Sequence, residues 1–318
     1  FFIVAGATAT NAANSGVVTA VFPKTGPAPE FAGGTGTVDD PYKVTTAVHL
    51  NNVRNHLSAN FIQTADIDLT TYLAVDGAGY NEDKGWMPIG NSTSFTGSYN
   101  GNGKSISNLK VERYGFYIGL FGQNEGAISN VSLSEVDVKG NYDIAGLIGW
   151  NKGGTVTNSS VTGSIYSNSS GDNTCVGGLI GLNLGGQVSG CYSSTTVSAI
   201  SGKKVGGLIG SNGESGKTGG SIINCYATGT VTGVDYIGGL IGANYSSNEI
   251  TNSYAIGEVV RTGYDTFYHV GGLIGYNGGA VTNSYWDTET SMQGSSEGGV
   301  GKTTAEMQTK TTFVDWDF

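Results

Sequence analysis

The chain has 318 residues, of which 54 are glycine and only 5 are proline, and charged residues make up 13% of it. This length suits either two ordinary domains or one long array of repeats. The formal net charge of −10 argues against nucleic acid or an anionic membrane surface as the partner, since both are recognised through basic patches. Tyr, Ser, Thr and Asn are abundant, which together with the glycine predicts an all-β protein with many tight turns.

The three cysteines are too few for a disulfide scaffold, and no paired Cys/His spacing indicates a metal site. Cys191 and Cys225 occupy matching places in consecutive repeats, so they are either stacked thiols or a bridge, and we favour buried thiols. No apolar run approaches the length of a membrane span, and none is predicted. Because the sequence begins at Phe1, we expect export and cleavage of a signal peptide, which would place the protein outside the cell or on its surface.

Residues 1–31 do not share the repeat pattern of the rest of the chain, and we assign them to an extended N-terminal arm. Such an arm has too little apolar surface to fold alone. We therefore expect it to pack on its own domain or on a neighbouring copy as a donor strand. The residues expected to make this contact are Phe1, Phe2, Ile3, Val4, Val17, Val18, Val21 and Phe22.

Residues 32–90 are predicted to form a small α/β cap with one helix. A strand is expected at Tyr42–Val44 and another over residues 61–69. Between them, apolar residues fall at helical spacing from Thr46 to Leu57, with Thr45 or Thr46 as the N-cap. A cap is useful because the open end of a repeat array exposes unpaired backbone.

An octad with the pattern Val/Ile-Gly-Gly-Leu-Ile-Gly-x-Asn recurs through the rest of the chain. Its central leucines follow one another at steps of 27, 32, 29, 32 and 33 residues, a period that indicates a stacked-repeat architecture. We assign the leucines to the repeat core and the closing asparagines to a ladder. The leucines are Leu120, Leu147, Leu179, Leu208, Leu240 and Leu273, and the asparagines are Asn124, Asn151, Asn183, Asn212, Asn244 and Asn277.

Each repeat also contains a second short strand with the pattern Ile/Val-x-Asn-x-Tyr, in which Gly190 replaces the asparagine once. If the octad is one strand, its Leu and Asn share one face and its Val/Ile and Ile share the other. The sequence leaves open which apolar column faces the core. It also leaves open whether a repeated asparagine bonds the next rung or occupies a left-handed bend. The tyrosines Tyr192, Tyr226, Tyr254 and Tyr285 are interpreted as a core stack in preference to a sugar-binding platform.

The Gly-Leu-hydrophobic-Gly core of the octad resembles the GLUG-motif repeat family. It is present at residues 146–149, 178–181, 207–210, 239–242 and 272–275, and with Phe at 119–122. The resemblance covers about residues 95–318, and residues 33–90 resemble the lead-in of such proteins. It implies a secreted or surface-anchored, adhesin-like prokaryotic protein built as a right-handed parallel β-solenoid. Some members carry a metallopeptidase domain, and nothing in this sequence matches it.

Taken together, these features predict an all-β, right-handed parallel β-solenoid (β-helix) of about six to seven rungs. We place the solenoid at residues 91–287, after the cap at 32–90, and a short C-terminal cap at 288–318. Thr303 and Glu306 form a capping-box pattern that predicts a short helix in this cap. The aromatic tail from Phe313 to Phe318 is expected to plug the last rung.

The sequence holds few candidates for catalysis. His49, His56 and His269 are its only histidines, none lies in an H-E-x-x-H motif, and carboxylates are scattered. We therefore expect no enzymatic activity and no cofactor. Calcium is the one metal worth considering, either at Asp39 and Asp40 or at a second acidic group, although no EF-hand spacing is present. The second group comprises Asp76, Glu82 and Asp83.

Two functions from different classes fit this sequence. The first is a non-enzymatic extracellular structural protein, a homo-polymer in a filament or surface layer whose subunits are joined by the N-terminal arm. The second is a monomeric surface adhesin whose variable loops bind a glycan or a surface protein. A polysaccharide-active enzyme is a distant third, since β-solenoids can host such sites but need clustered carboxylates.

Overall fold

The computed structural model describes residues 29–318 except 170, 172–173, 200, 246–248, 264–267, 315 and 317–318, together with the backbone of residues 8–9 and 18–19. The chain divides into two compact units, Phe1–Glu30 and Phe31–Phe318. In the first unit, strand Thr8–Ala9 pairs antiparallel with strand Val18–Thr19. The described part of the arm is therefore a strand pair and not a single extended strand. Of the expected contact residues, Val18 lies in this pair, whereas Phe1, Phe2, Ile3, Val4, Val17, Val21 and Phe22 lie outside the described residues.

The second unit is a parallel β-solenoid, which confirms the predicted fold class. Each full rung runs through four sheets, which we number 1 to 4, in the order sheet 1, sheet 2, sheet 4 and sheet 3. Among the described residues, sheet 3 has six strands and sheet 4 has four, so the first two of the six rungs have single bridges at Ile118 and Ile144 in place of a sheet 4 strand. The nine strands of sheet 1 extend further toward the N-terminus. Sheet 1 contains Tyr42–Val44, Asn60–Gln63, Ser98–Asn100, Ala127–Ser129, Thr155–Thr157, Gln187–Ser189, Ile222–Ile223, Ile250–Thr251 and Val281–Thr282.

Sheets 2, 3 and 4 complete the rungs. Sheet 2 contains Ile67–Asp68, Ser105–Ser107, Lys110–Glu112, Ser132–Gly140, Ser160–Ser167, Tyr192–Ala199, Tyr226–Ala227, Val231–Gly233, Tyr254–Ala255, Val259–Arg261, Tyr285–Asp287 and Val300–Lys302. Sheet 3 contains Phe121–Asn124, Ile148–Lys152, Ile180–Leu184, Ile209–Asn212, Ile241–Asn244 and Ile274–Asn277. Sheet 4 contains Val176–Gly177, Lys203–Gly206, Asp235–Gly238 and Val270–Gly271.

The parallel ladder begins earlier and ends later than the predicted solenoid boundaries at residues 91 and 287. Tyr42–Val44 is already a strand of sheet 1, paired in parallel with Asn60–Gln63. Val300–Lys302 is the last strand of sheet 2. The segments assigned to caps therefore supply rungs of their own, because their strands pair in register even though they lack the glycine octad.

Short segments of the chain close both ends of this ladder. At the N-terminal end, Ala32 donates to the Lys43 carbonyl and Lys43 donates to the Gly33 carbonyl, at 2.9 and 2.8 Å. At the C-terminal end, Gly272 donates to the Ser295 carbonyl and Glu297 donates to the Ile274 carbonyl. These contacts occupy backbone groups that an open sheet edge would offer to another chain.

Helices accompany the two ends. Helix α1 (Ala47–Asn52) is N-capped by Thr46 and continues as a 3₁₀ turn at Val53–Asn55, so it is shorter than predicted. Helix α2 (Thr70–Leu73) follows the first strand of sheet 2. Helix α3 (Thr304–Met307) has the predicted capping box, with Thr303 and Glu306 bonded reciprocally, and a 3₁₀ turn follows at Lys310–Thr312.

The octad is not one strand, contrary to our expectation. In the copy that begins at Val205, the strand of sheet 4 ends at Gly206, the chain bends at Gly207 and Leu208, and the strand of sheet 3 starts at Ile209. Strict alternation of faces does not survive this bend. Val205, Leu208 and Ile209 are consequently all fully buried. Both apolar columns of the octad therefore lie in the core. The six central leucines are likewise inaccessible to solvent.

Glycine is required in the octad because the chain passes close to other backbone there. A Cβ on Gly207 would lie 2.2 Å from the Gly239 carbonyl oxygen and 2.9 Å from the Ala227 methyl group across the interior. A Cβ on Gly210 would lie 2.4 Å from the Val176 nitrogen of the preceding rung. These approaches leave no room for a side chain. The motif is therefore a packing device that lets the rungs bend and stack tightly.

Candidate functional site

The six octad asparagines form one continuous amide ladder inside the solenoid. In the first five, the side-chain Nδ2 donates to Oδ1 of the asparagine in the next rung, at 2.8–2.9 Å, and Asn277 ends the ladder. Most also donate to a nearby carbonyl of their own rung, as Asn183 does to Gly186 at 2.9 Å. The first five are fully buried. Buried amides need such partners, so the ladder is a structural element and offers little to a ligand.

A second asparagine column marks the corner between sheets 1 and 2. Its members adopt left-handed backbone with φ between +46° and +54°, and Gly190 takes the same place with φ +62°. Both roles considered for a repeated asparagine therefore occur, in different columns, and the glycine substitution follows from the left-handed backbone. The asparagines of this column are Asn130, Asn158, Asn224, Asn252 and Asn283.

A third column, next to this corner, explains the two matching cysteines. Cys191 and Cys225 are buried free thiols, and they stand in line with serines in the rungs before and after them. The Cys191 thiol donates to the Ser189 carbonyl at 3.3 Å, and its sulfur accepts from the Ser159 amide at 3.4 Å. The serine hydroxyls of this column bond in the same way, as Ser253 does with the Thr251 carbonyl and the Cys225 amide. The thiols thus replace hydroxyls in a backbone-bonding role.

Tyr192, Tyr226 and Tyr254 lie on the outside of the solenoid, which corrects their interpretation as a core stack, whereas Tyr285 of the same column is buried. In strand Tyr192–Ala199, alternation places Ser193 inward and fully buried, while Tyr192 on the opposite face is only half-buried. Tyr226 and Tyr254 are half-buried in the same way. The reason is the left-handed corner residue two positions earlier, which fixes which face of the strand points inward.

These tyrosines form a regular aromatic column along the axis. The rings of Tyr192 and Tyr226 are 4.9 Å apart and nearly parallel, and Tyr254 continues the stack at the same spacing. Burial raises the pKa of Tyr254 to about 12, with the neighbouring Tyr226 as a second cause, so its hydroxyl stays protonated at neutral pH. In earlier rungs the same column carries serine, at Ser105, Ser132 and Ser160.

The column leads into a pocket formed by the C-terminal tail. The rings of Phe313 and Trp316 lie 6.4 and 6.0 Å from that of Tyr254, and the Trp316 Nε1 donates to the Asn283 carbonyl at 3.0 Å. The tail therefore covers Tyr285, as expected of a plug, and leaves a cavity of about 350 Å³ beside Tyr254. The cavity is also lined by Asp287, Thr290, Thr304, Met307 and Gln308, among others.

The remaining candidates for chemistry are dispersed. His49 and His56 pack at the N-terminal end, where His49 contacts Thr45 and the His56 ring lies 5.4 Å from that of Tyr42. His269 pairs with Asp235 at 3.3 Å and stacks on Tyr236. Within the described ranges, no group of three or more His, Cys, Asp and Glu side chains could hold a metal ion. Glu82, considered for calcium, pairs instead with Lys84 at 2.9 Å.

Asp143 is a buried acidic side chain that belongs neither to the tyrosine column nor to the C-terminal pocket. Asp143 lies just before an octad, only 7% exposed, beside the buried Cys175. Burial raises the pKa of Asp143 to about 7, against the opposing effects of a hydrogen bond with Cys175 and the charge of Lys204. Burial also raises the pKa of the Cys175 thiol, which makes it a poor nucleophile. No sequence signal predicted this group.

Comparison with known proteins gives three kinds of match. The family model described as the GLUG motif matches residues 140–166, 172–198 and 201–232. A protein of Evansella cellulosilytica named "Putative Gly-rich membrane protein" is 32% identical over 91% of this chain. Halomucin of Haloquadratum walsbyi is 34% identical over 42% of this chain. This chain spans only 44% of the first relative and 2% of the second.

A crystal structure shares the fold. It is that of a Bacteroides ovatus protein named "putative immunoglobulin A1 protease", with a TM-score of 0.69, 26% sequence identity and 91% of both chains covered. In the part of our structure that is described, no helix has the length and apolar character needed to cross a bilayer. The repeat spacing, the bent glycine octads and the family match agree with one another. The chain contains repeats of the GLUG-motif family, and these repeats form part of the solenoid.

Proposed function

We propose that this protein is a non-enzymatic extracellular module that binds glycans at the cell surface through the outer side of its solenoid. The observation that carries this proposal is the outward aromatic column of Tyr192, Tyr226 and Tyr254, which ends in the pocket beneath Trp316. Aromatic side chains with protonated hydroxyls combine an apolar surface with hydrogen-bonding groups, and this combination suits sugars. The relatives named a membrane protein and a halomucin support a location outside the cell.

The closed ends of the ladder favour a discrete binding module over end-to-end stacking of solenoids. Ala32 and Gly33 occupy one end, and the segment from Ser295 to Glu297 occupies the other. Hydrogen bonds to these segments use backbone groups that strand addition would otherwise employ. The outer face of sheet 2 remains as the extended surface on which a partner could lie.

The test is retention of the purified protein on insoluble polysaccharides, with cellulose, chitin and bacterial cell walls as the probes. A variant that carries serine at Tyr192, Tyr226 and Tyr254 supplies the comparison. Serine is compatible with this column because Ser105, Ser132 and Ser160 occupy it in earlier rungs. We expect at least one polysaccharide to retain the natural protein and to release the variant. Equal retention of both proteins, or of neither, would contradict the proposal.

Self-assembly through the N-terminal arm is the second candidate. It is supported by the division of the chain, in which Phe1–Glu30 forms a compact unit of its own. In this alternative the arm joins successive copies into a filament or layer and the solenoid acts as a structural subunit. Electron microscopy with and without residues 1–31 separates the two candidates. Filaments that disappear on truncation would establish assembly by the arm, whereas monodisperse particles in both samples would exclude it.

Catalysis is the least supported alternative. Its motivation is the name of the Bacteroides ovatus structure, which describes that protein as a protease. In this chain His269 is engaged by Asp235 and Tyr236, and burial raises the pKa of the Cys175 thiol, which keeps it protonated. Incubation with immunoglobulin A1 and with polysaccharides gives the test. Cleavage that is lost in a His269→Ala variant or on one carboxylate change would overturn the non-enzymatic assignment.

A further inference from the structure

The pocket at the C-terminal end of the tyrosine column has the features of a sugar subsite. We infer that it holds one pyranose unit of a neutral glycan, an inference that rests on the proposed function and gives it a defined ligand class and site. The cavity of about 350 Å³ falls in the range of small-molecule pockets, which are mostly apolar with a few placed polar groups. Its position lets the rest of a glycan continue along the tyrosine column.

The apolar wall comes from three rings on two separate parts of the chain. Tyr254 belongs to the column, whereas Phe313 and Trp316 come from the tail, with their ring centres 5.0 Å apart. The bond from Trp316 to the Asn283 carbonyl fixes the indole in place. A ring that is held before binding loses little conformational freedom when a ligand arrives. These rings therefore offer a preformed apolar surface for the C–H face of a pyranose.

The polar side of the pocket is supplied by Asp287 and the start of helix α3. Asp287 Oδ1 accepts from the amides of Glu289 and Thr290 and from the Thr304 hydroxyl, at 2.9–3.1 Å. All three bonds use Oδ1, and we assign Oδ2 to accept a hydrogen bond from a sugar hydroxyl. The Gln308 side chain at the rim is exposed and adds both a donor and an acceptor.

Charge narrows the ligand class. A buried carboxylate repels an anionic sugar at short range, and Asp287 is only 2% exposed at the pocket. The chain as a whole carries a net charge of −10, which acts in the same direction. Uronic and sialic acids are therefore disfavoured, and neutral hexoses or N-acetylhexosamines are favoured.

The test is calorimetric titration of the full chain with cellohexaose, chitohexaose, mannohexaose and hexagalacturonate. We expect at least one neutral hexasaccharide to bind and hexagalacturonate not to bind. Trp316→Ala should weaken the neutral ligand about tenfold or more, since a stacked ring and its buried area contribute at least about 1.4 kcal/mol. Gln308→Ala, which keeps all three rings, should weaken it by a smaller factor, and Trp316→Phe should restore part of the loss.

Tyr114→Ser serves as the matched control, because it removes an exposed tyrosine ring that belongs neither to the column nor to the pocket. The inference predicts that this variant binds a hexasaccharide nearly as the natural protein does. It is overturned if Trp316→Ala and Gln308→Ala keep the natural affinity, if hexagalacturonate binds best, or if no neutral hexasaccharide binds. If Trp316→Ala were still retained on insoluble polysaccharide, the proposed glycan-binding function would hold without this pocket. If the natural protein were retained on no polysaccharide, both the proposed function and the sugar subsite would be wrong.

Discussion

The buried asparagine ladder and the outward tyrosine column run along the same rungs but differ in how regularly they repeat. The ladder is uninterrupted from Asn124 to Asn277, whereas the outer column changes from serine in the early rungs to tyrosine from Tyr192 onward. The backbone register passes through this change without a break. Hydrogen bonding and the available space thus constrain which residue can occupy an inner position, whereas the residue at an outer position can change from rung to rung.

The largest effect on stability is expected inside the ladder. Asn183→Ala removes the bonds to Asn151, Asn212 and the Gly186 carbonyl, and it leaves their buried polar groups without those partners. An unsatisfied buried group costs about 1–3 kcal/mol, so the free energy of unfolding should fall by about 3 kcal/mol. Urea unfolding followed by circular dichroism measures this change. A loss below about 0.5 kcal/mol would show that the ladder contributes no more than a surface contact does.

The buried carboxyl of Asp143 should make stability depend on pH. Its folded pKa of about 7 lies above the ordinary value of 3.8 because it is buried. The folded state therefore favours the protonated form. Its contribution is complete below about pH 4 and is lost as the pH rises toward 7. At about 1.4 kcal/mol per unit of pKa, Asp143→Asn should raise stability at pH 8 by a few kcal/mol.

This pH prediction is checked by urea unfolding of both proteins at pH 4.5, 6 and 8. The two curves should converge at low pH and separate at high pH. Glu214 reinforces the raised pKa, whereas Lys204 and Cys175 oppose it, so the magnitude depends on all four groups. If the two stability curves separated more at low pH than at high pH, the pKa of Asp143 would not be raised in the folded state.

Two substitutions of Asn158, at a left-handed corner of the solenoid, should differ in their effect on stability. Asn158 has φ +49°, and its column accepts glycine at Gly190. Asn158→Ala should therefore cost about 1 kcal/mol, because alanine is strained in left-handed backbone. Asn158→Gly should change stability by only a few tenths of a kcal/mol. Thermal unfolding of the pair tests this, and equal losses in both variants would show that the side chain matters more than the backbone.

The smallest structural effect is expected in the serine and cysteine column. In Cys225→Ser the hydroxyl can donate to the Ile223 carbonyl and accept a hydrogen bond from a backbone amide, as the Ser253 hydroxyl does. We expect stability to change by less than about 1 kcal/mol. Cys225→Val is the matched control, since it keeps the volume but cannot form these bonds. If valine were tolerated as well as serine, the column would be a packing feature alone.

The repeat period, the parallel solenoid and the asparagine ladder could be predicted from the sequence because each depends on a residue that recurs in register. The bend in the octad could not, because the two adjacent glycines conceal a corner between Gly206 and Ile209. The direction of Tyr226 depends on a corner at Asn224, and counting positions along the strand does not reveal where that corner falls. The strands at Tyr42–Val44 and Asn60–Gln63 lack the octad, so their sequence predicts strands of a cap but not rungs of the solenoid.

The C-terminal pocket was also beyond prediction. It arises because the tail returns to the solenoid and places Phe313 and Trp316 against Tyr254. This contact joins residues about sixty positions apart in the sequence, and no periodic pattern connects them. The buried Asp143 was missed for a similar reason, since its burial depends on the neighbouring rungs.

The most direct measurement compares Asn183→Ala with the variant that carries serine at Tyr192, Tyr226 and Tyr254. For both, retention on insoluble polysaccharide is measured well below the unfolding midpoint, and the midpoint itself is recorded. The account predicts that the serine variant loses retention with little change in midpoint, whereas Asn183→Ala keeps retention with a lowered midpoint. The opposite pairing, or loss of retention only where the fold is also lost, would contradict the division between an inner scaffold and an outer binding surface.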